Sequence, residues 1–192
     1  MKSENRPLDI TEFLKLLLDC LKTTQVEYMI GGAVAEWAWG EPRATQDLDI
    51  VIDLPVKSTG KFSKELEKRD MLVPADIILD AMIEDRADIP LNAIHMYSGL
   101  KADLYLMREG DVLRQSAFKR RVLVDYGPPI GEVYVHSPED LILYKLLHFE
   151  LNGKPKHARD IAAILYARKS KMKNILMNGL LGWGWVRFGM SC

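Results

Sequence analysis

The chain has 192 residues, 48% of them hydrophobic and 28% charged, and its formal net charge is −1. That length suits one domain, or one domain with a small helical extension, and the composition suits a packed globular core rather than a disordered or fibrous chain. The near-zero charge excludes a strong overall field toward nucleic acid or anionic membrane and leaves only local basic patches, such as KRR at 119–121 and ARKSKMK at 167–173.

Two cysteines, Cys20 and Cys192, give neither a disulfide framework nor metal-ligand spacing. That usage suits a reducing compartment. The polar start MKSENRPLDI lacks the apolar stretch of a secretory signal. No apolar run approaches the ~18 residues of a membrane span. A cytoplasmic protein with no membrane partner is expected.

In chain order, Ile10, Phe13, Leu14, Leu17 and Leu21 recur at spacings of three and four and predict an amphipathic helix over about 9–24, capped by Asp9 or Thr11. VEYMI (26–30) reads as a short strand ended by Gly31 and Gly32. AVAEWAWG follows as a short helix closed by Gly40. EPRATQ is a loop, and DLDIVIDL (47–54) is strand-like with aliphatic residues on both parities. Residues 58–70 and 76–85 read as helices. AIHMYSG and KADLYLM read as two strands joined by a tight turn at Ser98-Gly99. DVLRQSAFKR is helical, and RVLVDY and EVYVH are strands separated by Gly127, Pro128 and Pro129.

SPEDLILYKLLHFELNG carries the clearest helix signals, with Ser137 as N-cap, Pro138 in the first turn and Gly153 as the stop. KHARDIAAILYARKS predicts one more helix. The order of elements predicts an α/β core of mixed α+β character with a helical C-terminal portion. The last stretch, KMKNILMNGLLGWGWVRFGMSC, is rich in Gly and Trp, has no Asp or Glu and shows no period. A packed tail, an irregular partner surface and an altered terminus all fit it.

The chemistry is concentrated around 30–50 and 103. Asp47 and Asp49 sit at i and i+2 in an apolar strand, so both side chains share one face. Two carboxylates held a few ångströms apart call for a cation, and a hard divalent ion such as magnesium is the simplest. The plainer alternative is a strand edge with both aspartates in water. Gly31 and Gly32, between a strand and a helix start, expose N–H groups that can hold phosphate oxygens; the alternative is a tight turn. Arg43 and Thr45 in the loop before the aspartates can meet a triphosphate, or sit on a surface loop. Asp103 interrupts the apolar strand KADLYLM and is a third carboxylate that a neighbouring strand can bring alongside the first two. A sheet-edge aspartate is the alternative.

In that order, IGG (30–32), fourteen residues, DLDI (47–50) and ADL (102–104) resemble the signature of the nucleotidyltransferase superfamily related to DNA polymerase β. The spacer is slightly longer than usual, and Gly32 stands where many members have Ser. SPEDLILYKLLHF with KHARDIAAIL also resembles the helical segment of minimal and abortive-infection (toxin-type) nucleotidyltransferases. The resemblance covers about residues 26–166; the final tail departs from it.

This resemblance implies a nucleotidyltransferase-like mixed sheet flanked by helices over 1–136, followed by a helical extension over 137–192. It implies that Asp47, Asp49 and Asp103 hold two magnesium ions, with Asp103 helping to activate the attacking hydroxyl. Gly31 and Gly32 would contact the β- and γ-phosphates, with Lys145 as a further triphosphate ligand. The substrate would be a nucleoside triphosphate and the acceptor a small molecule, a tRNA or a protein; a toxin–antitoxin role with an antitoxin partner is also implied. His95, His136, His148 and His157 show no metal-ligand spacing, and Glu84, Asp85 and Asp88 read as a solvated helix end or loop.

Two other readings compete. One is a non-catalytic nucleotide- or partner-binding member of the same fold, against which the complete carboxylate set argues. The other is a D-x-D phosphatase of the haloacid dehalogenase type. That scheme expects Thr where this chain has Val51, and it gives the Gly pair no role.

Overall fold

Asp9 begins the first helix as its N-cap. Its carboxylate accepts from the Glu12 N–H, and Glu12 reaches back to the Asp9 N–H, a capping box that fixes α1 at Ile10–Thr24. Gln25 in the left-handed region closes the helix. The computed structural model describes residues 6–40, 42–84 and 88–167. The tail beyond 167, with Cys192, lies outside them, as does Asp85.

The remaining described elements follow the predicted order: β1 (Glu27–Ile30), α2 (Gly32–Trp39), β2 (Asp47–Asp53), a 3-10 turn (Val56–Ser58), α3 (Thr59–Glu67), α4 (Ala75–Ile83), β3 (Leu91–Ile94), β4 (Lys101–Leu106), α5 (Val112–Lys119), β5 (Val122–Asp125), β6 (Glu132–Val135), α6 (Pro138–Asn152) and α7 (Pro155–Ala167). Several boundaries differ from expectation: α3 is Thr59–Glu67 where the sequence predicts 58–70, α4 is Ala75–Ile83 where it predicts 76–85, and β3 shifts as well. β3 starts at Leu91 and ends at Ile94, and His95 beyond it forms an isolated bridge with Met71. The turn therefore widens beyond Ser98-Gly99, closed by His95 N–H to Leu100 O and Gly99 N–H to His95 O, both at 2.9 Å.

The strands form one six-stranded mixed sheet in the order β3-β4-β2-β1-β6-β5. The pairs β1/β2, β3/β4 and β5/β6 are antiparallel; β2/β4 and β1/β6 are parallel. Placing β2 and β4 side by side brings together stretches of chain about fifty residues apart in sequence. With its helices this is an α+β fold.

The described residues divide into two compact units, one within 6–38 and 42–137 and the other within 39–40 and 138–167. In the first, Phe13, Leu14, Leu17 and Leu21 of α1, Met29 and Ile30 of β1, Leu48, Ile50 and Ile52 of β2, and Phe62 and Leu66 of α3 are completely buried. Burying each large aliphatic or aromatic side chain contributes about 1.5–3 kcal/mol. On β2, Leu48, Ile50 and Ile52 are buried on one face, while the other carries the exposed Asp47 and Asp53, the half-buried Asp49 and the buried Val51. In the second unit α6 packs on α7. Among the described residues no helix is long and apolar enough to cross a membrane.

Candidate active site

Strand order and register set the geometry. In the parallel pair of β2 and β4, Asp49 stands opposite Asp103 and Asp47 opposite Lys101. Period two along β2 puts Asp47 and Asp49 on one face while Leu48 and Ile50 point into the core. On β4, Lys101, Asp103 and Tyr105 alternate in the same way with the buried Ala102, Leu104 and Leu106. β3 adds Asn92 on the other side of Asp103, so Asn92, Asp103 and Asp49 form one rung across three strands. The three carboxylates expected to meet do share a face of the sheet.

They are unequally exposed. The Asp47 side chain is 60% exposed and that of Asp103 14%. Asp103 Oδ1 is buried with no hydrogen-bond partner among the described residues. A carboxylate oxygen withdrawn from water without a donor is unfavourable, and a cation is one way to satisfy it.

Gly32 explains the position of Asp49. It begins α2 at φ +56°, a conformation that suits glycine. A Cβ there would lie 1.9 Å from Asp49 Oδ2. The missing side chain therefore lets the Asp49 carboxylate lie against the first turn of α2, where the helix dipole favours negative charge. Gly31 has a different job. Its N–H donates to Asp49 O at 2.7 Å, extending the pairing of β1 with β2. The phosphate contact expected of the Gly31 N–H is thus not open to it, and the unpaired donors of the first turn begin at Gly32. Beneath Gly31 lies the imidazole of the buried His136, 3.2 Å from where a Cβ would be.

Thr45 and Arg43 serve the loop around the site. Thr45 Oγ1 donates to Asp47 O at 3.0 Å and accepts from the Asp47 N–H at 3.3 Å, which fixes the start of β2. The Arg43 guanidinium lies 3.5 Å from the buried Glu36 carboxylate on α2, and Trp37 Nε1 donates to Arg43 O at 3.4 Å. Lys145 belongs to the second unit, where its ammonium donates to Asp160 at 2.6 Å and both side chains are buried. In that unit His148 and His157 stack with ring centroids 5.7 Å apart.

His95 is buried against Phe13 and Tyr97, with Ser98 Oγ 2.8 Å from Nδ1. Glu84 and Asp88 are exposed, as the sequence predicted for that loop. Within the basic run at 119–121, Arg121 is held over the Phe118 and Tyr134 rings and pairs with Glu27, which makes it part of the sheet's own packing.

Sequence reasoning passed over Lys101. Its ammonium donates to Asp103 Oδ2 at 2.9 Å and stands 3.9 Å from Asp47 Oδ1. The bond to Asp103, then the other site carboxylates, raise the lysine pKa above its ordinary value. Among the described residues no three His, Cys, Asp or Glu side chains are gathered as a ready-made metal cage; at this site a lysine cation stands among the carboxylates. Tyr105 also lies on this face. Burial first, then Asp49 and Asp103, push its phenol up to about 12. It stays protonated beneath Arg114, whose guanidinium lies 5.2 Å from the ring centroid. The available signal was the spacing of Lys101 and Tyr105 at two residues either side of Asp103.

The arrangement places Asp49 and Asp103 on adjacent strands with Asp47 on the same face, Asp103 with one orphaned oxygen, beside the N-terminus of α2. The carboxylate oxygens are donors of the kind a hard divalent ion takes, and Lys101 is the cation that meets them here.

No protein-family model matches the sequence, and no curated protein matches it by sequence. Solved structures do match. The chain is similar to ANT(2'')-Ia in complex with adenylyl-2''-tobramycin, at 13% identity over 90% of this chain and 97% of that one, with a TM-score of 0.61. It is similar to an antigenic nucleotidyltransferase-like protein from Paracoccidioides brasiliensis, at 15% identity over 90% of this chain and 87% of that one, with a TM-score of 0.54. It is also similar to the lincomycin-bound lincosamide antibiotic adenylyltransferase LnuA, at 15% identity over 83% and 97% of the two chains, with a TM-score of 0.50. The fold is the one these nucleotidyltransferases share.

Proposed function

We propose that this chain transfers a nucleoside monophosphate from a nucleoside triphosphate to an acceptor hydroxyl, releasing pyrophosphate. The observation that carries the reading is the register of Asp49 against Asp103, with Gly32 leaving room for the Asp49 carboxylate at the start of α2. The nucleotidyltransferase fold supports it.

In this scheme Asp47, Asp49 and Asp103 hold divalent metal, two magnesium ions in the full reading. Metal bound there would neutralise the phosphate charge and stabilise both the entering and the leaving oxygen of an in-line displacement. The first turn of α2 from Gly32 onward binds phosphate oxygens through backbone N–H groups. Asp103, more enclosed than Asp47, would share the catalytic metal and help to activate the attacking hydroxyl. Thr45 keeps Asp47 at the mouth of the site, and Arg43 lies beside α2, within the loop that a triphosphate would approach. Residues 1–136 form the catalytic domain and 137–192 the extension. Lys145, proposed from the sequence as a further triphosphate ligand, donates to Asp160 within the second unit.

For the acceptor, a small hydroxylated molecule takes first place, because structural neighbours are bound to adenylyl-tobramycin and lincomycin. A tRNA end, a protein side chain and an antitoxin-controlled toxin role rest on the sequence resemblance alone. A cytoplasmic setting remains the proposal drawn from the cysteine usage of the sequence.

Calorimetry with each of the four nucleoside triphosphates, with magnesium or with chelator, tests the reading. Binding that needs magnesium and disappears in the Asp47→Ala, Asp49→Ala double variant is expected. Binding indifferent to metal and to the variant, or none at all, overturns catalysis and leaves a partner-binding member of the fold.

A further inference from the structure

The carboxylate face already contains a cation. Lys101 lies two residues before Asp103 on β4 and opposite Asp47 on β2, so strand geometry alone points its side chain into the gap between them. Its Nζ is 2.9 Å from Asp103 Oδ2 and 3.9 Å from Asp47 Oδ1. A bridging divalent ion would draw on those same two carboxylates. In a gap a few ångströms wide the ammonium repels a dication and occupies Asp103 Oδ2, leaving the ion only the buried Oδ1.

The lysine is built to leave. Its side chain is 35% exposed against 14% for Asp103, and it has a flexible four-carbon stem that can swing into solvent. Asp103 cannot follow it, being set by its place in β4 between the buried Ala102 and Leu104.

We infer that Lys101 is the internal counter-ion of the metal-free protein: it holds Asp103 and Asp47 together until a divalent ion displaces it, and so sets the affinity for that ion. This rests on the metal-dependent reading above. Two effects of opposite sign follow from one residue. Removing the charge makes the metal-free sheet less stable, because neighbouring carboxylates then lack a cation. The same change makes the site bind metal more tightly, because nothing has to be displaced. A lysine that merely decorated the surface would produce neither, and a lysine that oriented Asp103 for the ion would produce weaker binding on its removal.

The test uses the full chain without nucleotide, with manganese as the probe. Manganese affinity is measured by calorimetry for the native protein, K101M and K101Q, and melting temperature is measured in chelator and in saturating manganese. The expected result is manganese affinity higher by about tenfold or more in K101M, a lower melting temperature in chelator, and a larger rise with metal than in the native chain. K101Q, which keeps a donor for Asp103 without charge, should show the same direction and guards against misfolding of K101M. Unchanged or weaker manganese binding by a folded variant overturns the inference and leaves the nucleotidyl-transfer reading intact. No manganese binding by either native or variant protein, together with no magnesium-dependent binding of triphosphate, overturns both.

Discussion

The Asp49 carboxylate occupies the space in which a side chain at Gly32 would begin: a Cβ there would lie 1.9 Å from Asp49 Oδ2. The positive φ of Gly32 and the position of Asp49 are therefore one structural fact, and they can be disturbed together. Gly32→Ala must both strain the backbone, at about 1–2 kcal/mol, and push the carboxylate away from α2. Its expected activity falls about a hundredfold, the scale of a misplacement near 1 Å. Gly31→Ala, which meets only the edge of the His136 ring at 3.2 Å and has no positive φ, should lose much less. Comparing magnesium-dependent triphosphate binding and melting temperature of the two variants checks the contrast. Equal losses would show that the glycines act only as a turn.

The buried pair of Lys145 and Asp160 gives a prediction in the second unit. Both side chains are almost wholly enclosed and their charged atoms are 2.6 Å apart. Removing one partner strands a buried charge, so Asp160→Ala should cost roughly 3–5 kcal/mol in urea unfolding. The double change Lys145→Met with Asp160→Leu should recover most of that loss. A loss below 1 kcal/mol for the single variant would mean that the lysine finds water or another partner.

His95 makes stability depend on pH. Its burial lowers the imidazole pKa below the ordinary 6.5, with the Asp70 charge opposing. The folded protein thus binds this proton less readily than the unfolded chain does. The contribution is complete above about pH 6.5, falls as pH drops through the window between the unfolded and the lowered folded value, and levels off below it. His157, lowered chiefly by burial and then by Lys156, acts with the same sign in the other unit. Urea midpoints at pH 7.5 and 5.5 should therefore separate for the native chain and separate less for His95→Phe, or for His95→Gln if the aromatic replacement does not fold. Identical separations would exclude His95 as a cause.

Tyr126 ties the turn after β5 to α2. Its hydroxyl donates to Val34 O at 2.7 Å, and its ring lies 6.0 Å from that of Trp37. Tyr126→Phe keeps the ring contact and removes the donor, so it should cost about 0.5–1.5 kcal/mol. Because Val34 is in the first turn of α2, a weaker triphosphate affinity should accompany that loss. Calorimetry on the folded variant reads the second effect separately from the first.

Local signals were readable and cross-chain ones were not. Asp9 was readable as one of two candidate caps of α1, and the i, i+2 relation of Asp47 and Asp49 announced a shared face, because both follow from the period of one element. Asp103 was identified as a carboxylate inside an apolar strand, but its place opposite Asp49 depends on β2 and β4 being parallel neighbours, which no local pattern encodes. The same gap hid Lys101, since a lysine on a half-exposed strand reads as solvated until its neighbour across the ladder is known to be Asp47. Gly31 shows the converse: the glycine pair was visible, but the hydrogen bond that takes the Gly31 N–H belongs to the β1–β2 register. The end of β3 was misplaced: beyond Ile94, His95 forms an isolated bridge with Met71, a tertiary contact.

The parallel pairing of β2 with β4 has one more consequence. Sliding β4 by a single residue along β2 would put Ala102 or Leu104 opposite Asp49 in place of Asp103 and turn a core side chain outward. The carboxylate cluster is therefore a vernier for the sheet: it exists at one alignment of two strands and at no adjacent one. Any probe that senses Asp49 and Asp103 together also measures whether the middle of the sheet has closed in its native alignment, which makes this site a built-in gauge for folding studies of the chain.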